Sequence, residues 1–193
     1  MGFGRAVGGV VYSACTVREP GVVLVENRTN RIVLGEPDGT VSARVEAIAA
    51  PMVAGGMTIE VSDRIRDFVW SKLLMNLGSG PLGVLTGSPP RGFYVELALE
   101  KATLDAVAEA KAVAEAMGCT VHANAAGHVA NGKKSSHKTS ILQDLELGRP
   151  MEIDALYTVP LEMARAKGVP TPFLDLLAAL TRARARTAGL YSG

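Results

Sequence analysis

The chain has 193 residues, 48% of them hydrophobic and 20% charged, a globular composition with enough apolar mass for a real core. Twenty Lys and Arg stand against 19 Asp and Glu. That near-neutral balance excludes the basic stripe on which nucleic-acid affinity depends. No apolar stretch reaches the roughly 18 residues of a membrane span, and the N-terminus lacks a basic flank followed by a hydrophobic run, so the chain reads as soluble and cytoplasmic.

In chain order, Val7 to Val17 is rich in β-branched residues and reads as strand, with Glu19-Pro20-Gly21 as a turn. Val22 to Val25 and Arg31 to Leu34 follow on either side of a polar turn at Asn27 to Asn30. Strands this close predict an antiparallel meander rather than crossover units. Ser42 to Ala54 carries Val45, Ile48, Ala49 and Met52 at helical spacing and is stopped by Gly55-Gly56. Thr58 to Val61 is one more short strand.

From Ser62 onward the pattern is helical. Ser62 is the expected cap of a helix with Ile65, Phe68, Val69 and Leu73 on one face, broken by Gly78, Gly80 and Pro81. A helix over Tyr94 to Met117 is closed by Gly118, and Cys119 to Ser136 reads as loop. A short helix through Asp144, a helix over Ile153 to Lys167 and a last one after Pro172 to about Arg186 complete the chain. The expected architecture is mostly α with a small N-terminal β portion, divided near Ser62 into residues 1–61 and 62–193. Cys15 and Cys119 lie in dissimilar segments and read as two buried thiols rather than a disulfide. Arg182, Arg184 and Arg186 read as a solvated helix end.

Two places carry chemistry. At about 100° per residue, Lys72 lies within roughly 60° of Ile65, Phe68 and Val69, with Asn76 one turn on. A lysine and an amide on that face cost desolvation unless something polar meets them, whereas a lysine at the flank reaches water past the core. The second place is His137 to Asp144 followed by Gly148 to Asp154. Ser140 is placed to cap a helix or hold a carboxylate, and Glu152 stands ahead of a helix start, where the dipole favours it. Two other arrangements fail on spacing. Cys119, His122 and His128 match no closed zinc site, and Ser140, His137 and Asp144 lack the strained elbow of a hydrolase nucleophile.

Together, Trp70-Ser71-Lys72-Leu73-Leu74-Met75-Asn76, Pro81-Leu82, Leu85-Thr86-Gly87, the His137 to Asp144 run, Arg149 to Asp154 and Gly168-Val169-Pro170-Thr171-Pro172 resemble the C-terminal domain of ketopantoate reductases (2-dehydropantoate 2-reductases). Glu19 to Val23 and Leu34-Gly35-Glu36 resemble the last strands of that family's N-terminal domain. The resemblance implies an all-α domain like that of ketopantoate reductase and 6-phosphogluconate dehydrogenase, preceded by the remnant of a Rossmann-type domain. It implies hydride transfer from NADPH to a 2-keto acid, with the Lys72 ammonium giving a proton to the nascent alkoxide. It further implies that Asn76 orients the substrate, Ser140 hydrogen-bonds it, and Glu152 sits near the lysine and the cofactor.

Two departures stand out. The family commonly carries a second asparagine where this chain has Gly80. Its glycine-rich nucleotide turn is matched only by Gly2-x-Gly4 with Gly8 nearby, which no strand precedes and no helix follows. The expectation is a truncated or split form, active only with a nucleotide-binding partner or in its full-length form, whose exposed sheet edge invites self-association; the alternative is a non-catalytic binding or dimerisation module.

Overall fold

The computed structural model describes residues 3–25 and 30–193 and divides into two compact units, Met1–Val69 and Trp70–Gly193. In the first unit a short 3-10 turn, Phe3–Arg5, precedes strand β1 (Gly8–Tyr12). Strands β2 (Cys15–Glu19), β3 (Val22–Val25), β4 (Arg31–Gly35) and β5 (Thr58–Val61) follow, with helix α1 (Ala43–Ala54) between the last two. The stretch read as one strand over Val7 to Val17 is two strands, in two different sheets. β2 and β3 form an antiparallel hairpin of their own, while the other sheet runs β1-β4-β5, antiparallel at β1/β4 and parallel at β4/β5. The expected single meander is therefore a hairpin beside a mixed sheet, the parallel pair being made possible by α1 as the crossover. Asn27 of the expected turn, and Gly2, lie outside the described residues; Gly8 opens β1.

β4 is the centre of this unit. Its alternation sends Ile32 and Leu34 to one face, against Val45 and Ala49 of α1, and Val33 to the other, against Val10 and Ile65. Gly8 and Gly35 are direct partners across β1/β4, and both face Ile65. A Cβ at Gly8 would stand 2.6 Å from Ile65 Cγ1, and one at Gly35 2.7 Å from Ile65 Cβ, so only glycine leaves the notch the isoleucine fills. The hairpin packs differently. Val17, Val22, Val23, Leu24 and Val25 are all exposed, and so is Cys15. The two cysteines form no disulfide. Cys119 is buried as expected, but Cys15 is not, because β2 has only β3 beside it.

Helix α2 (Ile65–Thr86) begins in the first unit and continues into the second. Ser62 does not cap it directly; its hydroxyl accepts from the Arg64 N–H in the turn before the helix. Gly78, Gly80 and Pro81 do not break it either. Packing overrides their propensity: Gly78 lies against α4 (Leu97–Ala116), where a Cβ would meet Val107 Cγ2 at 2.7 Å and Thr103 Cγ2 at 3.1 Å. After α3 (Pro90–Phe93) and α4, the stretch expected to be loop contains α5 (Ala125–Gly132), capped by Asn124, whose side chain accepts from the Gly127 N–H. α6 (Ser140–Glu146), a π-helical turn (Asp154–Thr158), α7 (Val159–Ala166) and α8 (Pro172–Thr187) complete the unit. Its core joins Trp70, Leu74 and Leu77 of α2 to α4, α7 and α8 through Val107, Val113, Leu161 and Leu174. The mostly helical architecture with a small N-terminal sheet is the one the sequence implies. Among the described residues no helix is long and apolar enough to cross a membrane.

Candidate functional site

Helix α2 carries Lys72 and Asn76 one turn apart on one side. Lys72 is exposed along part of its length, yet neighbouring protein atoms strip enough water from its ammonium to hold its pKa below the ordinary lysine value. Asn76 is half-buried. The backbone around them is fixed by side chains of the same unit. Ser71 Oγ accepts from the His122 N–H at 3.3 Å. Ser79 Oγ donates to the Met75 carbonyl at 2.9 Å and lies 3.2 Å from His128 Nε2. Because the serine proton is committed to the carbonyl, the histidine nitrogen must be the donor in that pair. Burial lowers the His128 pKa, which favours its neutral form.

Further along α2, Gly80 and Gly83 face two later segments. A Cβ at Gly80 would stand 2.9 Å from the Tyr157 hydroxyl and 3.5 Å from Ile141 Cγ2; one at Gly83 would stand 3.2 Å from Thr139 Oγ1. The small residues let the start of α6 and the π-helical turn close on α2. Ser140 is the first residue of α6, exposed, and flanked by Thr139 and Ile141, which line this contact. It does not occupy the cap: Thr139 does, and makes no side-chain capping bond. The exposed Ser140 hydroxyl is thus placed at a helix start without serving as its cap.

Glu152 is exposed just before the π-helical turn, five residues ahead of Tyr157. The Met151 N–H donates to the Leu190 carbonyl at 3.2 Å, and its own carbonyl accepts from Ile153 at 2.8 Å. The Tyr191 hydroxyl donates to Asp154 Oδ1 at 2.6 Å, and Thr158 Oγ1 donates to the same oxygen at 2.9 Å. These two hydrogen bonds, Tyr191's first, hold the Asp154 carboxyl below its ordinary range. The segment bearing Glu152 is therefore pinned on both sides by the residues after α8. Lys72 and Asn76 share one stretch of α2, while the α6 start with Ser140 and the turn after Glu152 meet the next stretch. Sequence reasoning passed over Tyr157 and Thr139, whose hydroxyls are buried without a hydrogen-bond partner. The only signal for them was glycine at positions 80 and 83, which reads equally as a helix break.

The profile of the ketopantoate reductase PanE/ApbA C-terminal domain matches residues 64–185. A 2-dehydropantoate 2-reductase of Mesorhizobium japonicum is 40% identical over 190 residues, 97% of this chain and 58% of that protein. The crystal structure of 2-dehydropantoate 2-reductase from Geobacter metallireducens GS-15 superposes with a TM-score of 0.84 at 28% identity, covering 92% of this chain and 60% of that one. D-mandelate dehydrogenase in complex with NADH superposes with a TM-score of 0.80 at 19% identity over 94% of this chain and 62% of that one, a likeness of fold. The chain spans somewhat more than half the length of the 2-dehydropantoate 2-reductases it matches. It belongs to the ketopantoate reductase family, residues 64–185 being that family's C-terminal domain.

Proposed function

We propose that the chain supplies the substrate-binding and proton-donating part of an oxidoreductase that reduces a 2-keto acid, such as 2-dehydropantoate, to the 2-hydroxy acid with NADPH. The observation that carries this reading is Lys72: a lysine whose pKa is lowered by desolvation, one turn from the half-buried Asn76 on a helix that also seats Ser140's segment. A nicotinamide nucleotide supplies the hydride to the ketone carbon when bound. The Lys72 ammonium gives its proton to the oxygen that becomes an alkoxide, and its lowered pKa brings it nearer the range where a general acid transfers protons well. Asn76 orients the keto acid through its amide. Ser140 donates its hydroxyl to the substrate from the α6 start, and Glu152 holds a negative charge beside the lysine and the nicotinamide.

The described residues of the first unit do not fit the pyrophosphate of such a nucleotide. At the start of α1, which follows β4, Ser42 Oγ accepts from the Val45 N–H and donates to the Glu36 carboxylate, which also pairs with Arg44. The first turn of α1 is thus already capped by a side chain, and the Glu36–Arg44 ion pair beside it brings no net positive charge for a phosphate. The nucleotide's phosphates are therefore held by a partner chain or by sequence outside the described residues, and the exposed β2–β3 hairpin offers an edge for such a partner. The reading places the protein in the cytoplasm, where NADPH and keto acids meet.

The test is a titration of the chain with NADPH and then 2-dehydropantoate, following nicotinamide fluorescence and absorbance. Keto-acid-dependent oxidation of NADPH, by the chain or by the chain with a nucleotide-binding partner, is the expected result. A folded chain that binds neither compound under either condition leaves a binding module without redox chemistry.

A further inference from the structure

Tyr157 is among the most deeply buried side chains, at 1% exposure, and its hydroxyl has no hydrogen-bond partner. A buried hydroxyl left unpaired costs free energy, so an orphan in a native fold calls for an explanation. Its surroundings supply one. The hydroxyl points at Gly80, and the space a side chain would fill there is taken by the phenol oxygen. By helix geometry, Lys72, Asn76 and Gly80 follow one another at about 40° steps along one side of α2. The phenol thus delivers a hydroxyl to the helix position next after Asn76, from a different element. Thr139 Oγ1, the second orphan, lies at Gly83 on the same side, at an α6 cap position where it caps nothing.

The backbone carrying Tyr157 is itself irregular. It lies in the π-helical turn, closed by the Val159 N–H donating to the Asp154 carbonyl. Such turns are uncommon and frequently mark functional sites. Burial raises the phenol's pKa, so the group remains a donor across the working pH range.

We propose that Tyr157 is a specificity-determining residue, its hydroxyl standing in for the side chain that Gly80 lacks and donating a hydrogen bond to a polar group of the 2-keto acid beside α2. This rests on the functional reading above and adds to it one binding contact and its geometric condition. Glycine at 80 and tyrosine at 157 are two halves of one device: the first makes room, the second fills it with a donor. The Thr139 hydroxyl, one turn further on, extends the same polar strip.

The test compares wild type with Tyr157→Phe, measuring the ligand-free thermal midpoint of the chain and, in the protein with its nucleotide-binding complement at saturating NADPH, the affinity for 2-dehydropantoate by calorimetry. The expected result is an unchanged or higher midpoint, since the variant loses only an unpaired hydroxyl, with affinity weakened about tenfold. A lower midpoint would show that the hydroxyl has a structural partner and overturns the proposal; so does an unchanged affinity. If the wild type itself shows no saturable keto-acid binding, the functional reading falls and takes this contact with it. Gly80→Ala probes the geometric condition without any ligand. It is expected to lower the midpoint in the wild type and to do so markedly less in Tyr157→Phe; equal losses in both backgrounds overturn the coupling of the two positions.

Discussion

Glu109 Oε2 on α4 accepts a hydrogen bond from the Leu174 backbone N–H at 2.8 Å, and its Oε1 accepts from Phe173 at 3.1 Å. The first turn of α8 is thus capped by a carboxylate 65 residues away in sequence, and not by Thr171, which makes no capping bond. The charge also opposes the positive end of the helix dipole. Glu109→Ala is expected to cost about 1–2 kcal/mol of stability, the range for loss of an N-cap. Urea denaturation checks it. A loss below a few tenths would mean that water replaces the cap.

The close approach of α2 and α4 makes a second expectation. At Gly78 a Cβ would meet Val107 Cγ2 at 2.7 Å in a packed core. Gly78→Ala gains helix propensity and still destabilises, by about 1–3 kcal/mol, because overpacking outweighs it. A thermal midpoint at or above that of the wild type would show that the two helices separate freely.

His128 gives the fold a dependence on pH. Burial lowers its folded-state pKa, so the unfolded chain takes up the proton first as pH falls. Stability is therefore full above the ordinary histidine value and declines as pH drops below it, until the folded form also protonates. His128→Gln is expected to flatten the stability profile across that window. The comparison is of urea midpoints between neutral and mildly acidic pH, where parallel profiles for the two proteins would assign the dependence to other groups.

Lys72 bears on the proposed reaction. In the protein with its nucleotide-binding complement, Lys72→Ala is expected to reduce kcat by at least about a hundredfold, the scale of a lost general acid. Its stability should stay within about 0.5 kcal/mol of the wild type, as for other exposed positions. Because the pKa is lowered, the ammonium is lost as pH rises to values at which an ordinary lysine keeps its proton. The kcat profile should accordingly fall on its alkaline side earlier than for an ordinary lysine. A Lys72→Ala variant with undiminished turnover would remove this residue from the chemistry.

Legibility in the sequence followed the range of the forces. α1 and α8 were readable because their boundaries are local: Ser42 capping Val45, the Gly55-Gly56 stop, and Pro172 at a helix start. α2 was cut short on paper because Gly78, Gly80 and Pro81 are helix breakers by propensity, while what keeps them helical is contact with α4, α6 and the π-helical turn. α5 was missed because Gly127 and Gly132 obscure a helix whose start depends on one Asn124 cap. The division of Val7 to Val17 between two sheets is a pairing choice that composition does not encode. At the site, helical spacing places Lys72 and Asn76 on one side of α2, while the roles proposed for them rest on the family resemblance. The meeting of Tyr157 with Gly80 could not be read, because 77 residues separate them and neither is unusual alone.

The hydrogen bond from Met151 to Leu190 makes one amide a reporter for a whole segment. The residues after α8 are held next to Glu152 by that bond and by Tyr191 on Asp154, and such peripheral attachments open at free energies below that of global unfolding. Deuterium uptake at Met151 would then track detachment of the tail rather than melting of the helical core. The order in which this part of the protein comes loose can be followed while α2, α4 and α8 remain folded.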